Sequence, residues 1–207
     1  MRLPDPSVAR ISGEAQACAD LDQLAWVVRS CAACPELAAA RTQVVVGDVV
    51  PASRLLVVGE APGAQEDVAG RPFIGKGGQL LDRLLAAAGI ARPEVSVLNV
   101  LKCRPPDNRT PTRAEAARCT GWLDRQVELL DPPYVLTLGR TALTWALGAK
   151  NTLEAVRGQV HPWRGRHLVA SYHPSAALRF GPNGTPHLAL AADIRFVATL
   201  LTEGSPR

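Results

Sequence analysis

Glu60, Asn99 and His173 are the side chains best placed for polar chemistry, because each stands where an apolar run gives out. Glu60 follows Leu55-Leu56-Val57-Val58-Gly59, Asn99 lies in Val97-Leu98-Asn99-Val100, and His173 follows the run from His167 to Ser171. If these runs are parallel strands, their carboxyl ends form the rim where open α/β sheets collect ligands. A carboxylate, an amide and an imidazole then converge there. The stretch from Gly59 to Gly75 adds Glu66, Asp67, several glycines where backbone can approach a ligand, and one aromatic residue, Phe73. Connections longer than about a dozen residues are usually functional or disordered; the plain alternative is a solvated β–α connection.

The cysteines are a second constellation. Cys31 and Cys34 form a Cys-x-x-Cys knuckle, Cys103 and Cys119 follow far downstream, and Cys18 is left over. In a chain expected to be cytosolic, such a set points to metal rather than disulfides. Four thiolates hold either a tetrahedral Zn²⁺ or a [4Fe–4S] cluster, and spacing does not separate the two. Buried free thiols are the bland alternative.

The elements that must position these groups are legible. Four apolar runs read as strands: Leu55 to Val58, Val95 to Val100, Tyr134 to Leu138 and His167 to Ser171. Three show little alternation, as in parallel strands covered on both faces. Helical patterns occupy 77–89, 112–130 and 140–148, with further helices at Asp20 to Arg29 and from Pro186 to Leu201. Thr112 with Glu115 three residues on is a capping box. The alternation predicts a three-layer α/β/α sandwich with a central, mostly parallel four-stranded sheet, built as a single domain over 1–207. Segment 1–50 carries two of the cysteines, 102–112 is one long irregular insertion, and the tail Glu203 to Arg207 is expected to be flexible.

Composition narrows the classes. The chain has 207 residues and a formal charge of +4. No run of about 18 apolar residues exists, so no membrane span is expected. The start, Met1-Arg2-Leu3-Pro4-Asp5-Pro6, lacks the apolar core of a signal peptide. Arginines gather in 102–118 and 157–179, a pattern that suits a polyanion-binding face as well as an ordinary basic surface.

Gly59-Glu60-Ala61-Pro62-Gly63 with Glu66-Asp67, Arg71-Pro72-Phe73-Ile74-Gly75, Asn99-Val100-Leu101-Lys102-Cys103-Arg104-Pro105-Pro106 and His173-Pro174-Ser175 resemble the motifs of the family 4 uracil-DNA glycosylases. All four cysteine positions match that iron–sulfur family in order, over residues 20–200. The resemblance implies a [4Fe–4S] cluster on Cys31, Cys34, Cys103 and Cys119, with Cys18 a spare thiol. It implies excision of uracil from single- or double-stranded DNA by a monomeric base-excision repair enzyme.

The implied roles follow from chemistry. A uracil must leave the stack before its glycosidic bond is reached; Phe73 then stacks on it, and the Asn99 amide pairs with N3–H and O4, a pattern cytosine reverses. His173 aims an N–H at O2, where charge develops as the bond breaks. Glu60 holds the attacking water or the sugar cation, or only binds. In the best-known branch of the superfamily an aspartate follows the glycine-polar pair and a tyrosine follows the motif proline; here those positions are Ala61 and Gly63, leaving Glu66 to block a 5-methyl group. His173 to Arg179 resembles the intercalation loop, with Leu178 the wedge or else a core residue, and Ala176 and Ala177 lying against DNA. Ser175, Arg104, Arg109 and Arg179 grip phosphates.

Two rivals differ. A branch trapped covalently on uracil-DNA carries a histidine after the asparagine motif, and 102–112 has none. A non-catalytic, metal-stapled DNA-damage-binding module would have no use for both Asn99 and His173.

Overall fold

The computed structural model describes residues 5–203. Its strands are β1 (Leu55–Gly59), β2 (Val95–Asn99), β3 (Tyr134–Leu138), β4 (His161–Trp163) and β5 (Arg166–Ser171). They form one sheet in the order β2-β1-β3-β5-β4. β2, β1, β3 and β5 are parallel, and β4 runs antiparallel to β5. Five strands therefore stand where four were expected. The extra one is short, carries Pro162 and lies at the edge, where a missing N–H costs no ladder bond. Arg164 and Gly165, both at positive φ (47° and 77°), turn it into β5.

Strand alternation divides the core. Leu56, Val58, Leu98, Val135 and Leu168 point to one face, while Leu55, Val57, Val97, Leu136 and Val169 point to the other. All are buried, which is why these strands read as unbroken apolar runs.

The first face is covered by α1 (Pro6–Gln16), α2 (Leu21–Arg29) and α3 (Pro35–Ala40) together with the long helix over 113–130. The helix α4 (Ala64–Ala69) lies inside the stretch expected to be loop. Next come α5 (Lys76–Ala87), α6 (Arg113–Leu130), α7 (Gly139–Leu147), α8 (Leu153–Val156), α9 (Pro174–Phe180) and α10 (Thr185–Glu203). α5, α9 and α10 cover the second face. Thr112 and Glu115 form the expected reciprocal cap of α6.

α1 was not expected. Asp5 caps it by accepting from the Ser7 N–H, Pro6 opens its first turn, and Ile11 and Ala15 bury against α6. The segment expected as a loop from His173 to Arg179 is the helix α9, and Ala177 faces the core at 0% exposure rather than lying against DNA. Glu203 closes α10, so only 204–207 of the expected tail falls outside the described residues. No described helix is long and apolar enough to cross a membrane.

Candidate active site and cysteine cavity

The strand order places β1 between β2 and β3, so the chain reverses direction beside β1, where an open sheet leaves a crevice. A cleft of about 250 Å³ opens there. Glu60, Ala61, Gly63, Glu66, Phe73, Asn99, Arg109, His173 and Ser175 all line it. Gly59 and Asn99 are directly paired neighbours at the ends of β1 and β2.

Gly59 is where the pocket becomes possible. A Cβ there would stand 2.4 Å from Phe73 Cζ and 2.5 Å from Asn99 Oδ1, closer than real side chains approach. Phe73 itself has φ 54°, a conformation a bulky residue avoids. Gly78 makes room for it, since a Cβ at that position would meet the Phe73 carbonyl oxygen at 1.7 Å.

Glu66 holds this corner together. Its Oε1 accepts the N–H of Ile74 (3.0 Å) and of Gly75 (2.7 Å), and its Oε2 accepts the N–H of Gly63 (3.1 Å). One carboxylate thus ties the loop before α4 to the loop after Phe73.

Asn99 is 3% exposed and its Oδ1 has no hydrogen-bond partner. Buried acceptors are nearly always satisfied, and the side chain lines the cleft. The carbonyl of the Asn99 backbone accepts from Lys102 Nζ at 3.0 Å, from a lysine only 1% exposed.

His173 is the N-cap of α9. Its Nδ1 accepts the backbone N–H of Ser175 at 3.2 Å and lies 2.8 Å from the Ser175 hydroxyl. A backbone N–H only donates, so Nδ1 is unprotonated and the ring proton sits on Nε2. Loss of hydration in the cleft pushes the imidazole down to about 4, against an opposing pull from Glu66. It is therefore neutral at pH 7. Gly139, at φ 84°, lets the β3–α7 turn approach, since a Cβ would meet His173 Cβ at 2.9 Å.

Glu60 accepts a short hydrogen bond from the Thr141 hydroxyl in the first turn of α7. Thr141 was not foreseen, although the strand-end argument that singled out Glu60 also covers the turn after β3.

Several arginines are already committed. Arg109 binds both carboxylate oxygens of Glu115 (2.9 and 2.7 Å) and reaches Glu36 (3.2 Å). Arg118 pairs with Asp5, Arg157 with Asp193, Arg164 with Asp124 and Arg166 with Asp131. The arginine-rich stretches thus serve largely to staple the fold. Arg104 holds Asn108 Oδ1 at 2.8 Å. On α9, Leu178 and Phe180 are exposed (43% and 62%) with Arg179 between them, its guanidinium 5.9 Å from the Phe180 ring. Phe180 was not foreseen either.

Beside the segment that follows β2 lies a small cavity of about 20 Å³ lined by Cys31, Cys34, Cys103 and Cys119, with Lys102 and Trp122 in its wall. Cys18 lies outside it and donates its thiol proton to the Glu14 carbonyl. Arg41 Nη1 lies 2.8 Å from Cys103 Sγ and the Lys102 N–H lies 3.4 Å from Cys119 Sγ. Burial pushes the Cys34 thiol up, with Arg118 opposing. Burial pushes the Cys119 thiol up to about 12, with Lys102 opposing. Among the described residues no three His, Cys, Asp or Glu side chains stand close enough to hold a single ion.

A model of the uracil DNA glycosylase superfamily matches residues 46–193. The type-4 uracil-DNA glycosylase of Thermotoga maritima is 44% identical over 165 residues, covering 79% of this chain and 85% of that protein. That of Sulfurisphaera tokodaii is 37% identical over 172 residues, covering 79% and 77%. The chain belongs to the type-4 branch of the uracil-DNA glycosylase superfamily. A type-5 uracil-DNA glycosylase of Thermus thermophilus is 32% identical over 198 residues, covering 75% of this chain and 87% of that protein. The superfamily match runs from just before β1 into α10 and so takes in the whole cleft; Cys31 and Cys34 lie ahead of it.

Proposed function

We propose that this type-4 family member excises uracil from DNA, hydrolysing the glycosidic bond of an everted nucleotide and leaving an abasic site. The unpartnered Oδ1 of Asn99 carries the reading. It lacks a donor, and the uracil N3–H is one. Cytosine N3 offers a lone pair instead, and a site built around one hydrogen bond rejects such an analogue strongly, by about 10⁴–10⁵.

Phe73 supplies the stacking surface. As the C1′–N1 bond breaks, electrons move onto uracil, chiefly to O2. The fixed Nε2–H of His173 donates to that oxygen more strongly as charge grows, so it favours the transition state over the bound base. Glu60, held by Thr141, presents negative charge to the sugar cation and its attacking water. Pinned by three amides, Glu66 forms with Gly63 and the backbone of Ala61 the rigid wall against which a thymine methyl presses.

Leu178 and Phe180 suit the space left by the extruded base, with Arg179 and Arg104 toward phosphates. Ser175 serves His173 first, and Arg109, spent on Glu115, orders the loop beside the cleft. With no histidine in 102–112, ordinary turnover is expected rather than trapping.

The cysteine cavity fits an iron–sulfur cluster better than one zinc ion. Four thiols surround a volume, whereas a lone tetrahedral ion needs each sulfur at about 2.3 Å. Cys31, Cys34, Cys103 and Cys119 would hold it. When bound, a [4Fe–4S] cluster supplies iron–thiolate bonds that tie the N-terminal helices to the segment following Asn99.

The test is cleavage of an oligonucleotide carrying one uracil, followed by alkali. Alkali-labile product, absent with thymine and abolished by Asn99→Ala while DNA affinity persists, is expected. A stable protein–DNA adduct would assign the trapping chemistry instead, and binding without product would assign a damage sensor.

A further inference from the structure

We propose that the indole N–H of Trp122 donates a hydrogen bond to a sulfur of the cluster, an N–H···S contact that tunes its redox state. The inference rests on the iron–sulfur reading of the cysteine cavity. Trp122 is 1% exposed, and its Nε1 has no hydrogen-bond partner. Buried indoles normally find an acceptor, so the bare donor marks the place of one.

Geometry limits where that acceptor lies. Trp122 sits three residues after Cys119 on α6, so both occupy one face of the helix. Helical side chains lean toward the N-terminus, which brings the indole over the turn carrying Cys119. Both residues line the same cavity. Most of its remaining wall is apolar, including Ile11, Leu37 and Leu101. The carboxylate of Glu115 is present too, but its oxygens are taken by Arg109 and Thr112. Gln126 Oε1, one turn further on, is itself without a partner and so does not receive the indole proton. What is left is sulfur.

The cavity already uses this kind of contact. Arg41 donates to Cys103 and the Lys102 backbone to Cys119. Trp122 adds a neutral side-chain donor to a guanidinium group and a backbone amide. Hydrogen bonds to the sulfurs of a cluster stabilise its more negative, reduced form and raise its reduction potential. Removing the N–H lowers that potential.

The experiment compares the anaerobically purified holoprotein with Trp122→Phe by iron and sulfide analysis, redox titration and resonance Raman spectroscopy. The expected result is a full cluster in both, with a more negative midpoint in the variant. At the wild-type midpoint the reduced-to-oxidised ratio falls about tenfold, equivalent to about 59 mV for one electron. The Fe–S stretching bands shift with it. If Trp122→Phe assembles no cluster, 3-benzothienylalanine at position 122 keeps the shape of the indole and replaces only its N–H. An unchanged midpoint and unchanged bands in either cluster-bearing variant overturn the proposal. Wild-type protein that holds zinc, or no iron and sulfide, overturns the cluster reading itself, and metal analysis alone reveals it.

Discussion

The rings of Phe73 and His173 lie 5.8 Å apart, centroid to centroid, with their planes inclined by 43°. A flat base sandwiched between them would need about 3.5 Å on each side, so this pair cannot clasp a base face to face. In the proposed reading the base lies on one face of Phe73 and meets His173 at its edge. That suits a histidine whose contribution is one N–H rather than a stacking surface.

Gly59→Ala tests the corner where Phe73 and Asn99 meet. The added methyl would stand 2.4 Å from the Phe73 ring and 2.5 Å from Asn99 Oδ1, so one or both must move by about an ångström. Misplacement of that size costs about 10²-fold in rate. Single-turnover uracil release should fall by that order while the circular dichroism spectrum stays that of the wild type.

Thr141→Val keeps the shape of the side chain and removes the hydroxyl that holds Glu60. If Glu60 serves the transition state as proposed, turnover should fall about 10-fold or more with little change in KM. Thr141→Ser restores the donor and should restore most of the rate. Equal kinetics in the valine and serine variants would remove the hydroxyl from the mechanism.

The state of His173 has a pH signature. Its unfolded value is about 6.5 and its folded value is pushed down to about 4. Between these two, the unfolded chain binds the proton that the native ring refuses. His173 therefore weakens the native state progressively as pH falls from above 6.5 toward 4, and has no such effect above that window. Nitrogen-15 NMR of labelled histidine should show a neutral ring protonated at Nε2 at pH 7, titrating near pH 4. Below that point Nδ1 gains a proton that faces the Ser175 N–H, the cap breaks, and uracil release should fall.

If the cysteine cavity holds the proposed cluster, Cys103→Ser should abolish its visible absorption and lower thermal stability before it touches chemistry. For a chain of this size each kcal/mol lost lowers Tm by about 2–4 °C. A variant that keeps its full absorption would remove Cys103 from the ligand set.

The central strands were legible because both of their faces are buried, which writes the same apolar run into each. Thr112 and Glu115 declared the start of α6 through a cap confined to four residues. β4 was hidden because three residues containing Pro162 make no pattern. α4 was hidden because it is one short polar helix inside a glycine-rich stretch. The convergence of Glu60, Asn99 and His173 on one cleft was legible because topology alone brings parallel strand ends together. Pairings made across the fold left no local trace: Arg109 with Glu36, Arg118 with Asp5, and Thr141 with Glu60. The basic stretches accordingly looked like a surface for DNA when most of their charge is neutralised internally.

The strands that end at or just before Glu60, Asn99 and His173 lie in one continuous ladder, β2-β1-β3-β5. Their spacing is set by interstrand hydrogen bonds at about 4.8 Å and not by a lid that opens and shuts. Warming cannot widen the gap between these groups by degrees; it must first break the sheet. Discrimination between uracil and cytosine should then stay flat as temperature climbs and vanish over the same few degrees in which the protein melts, so that a heated sample loses activity without first becoming careless.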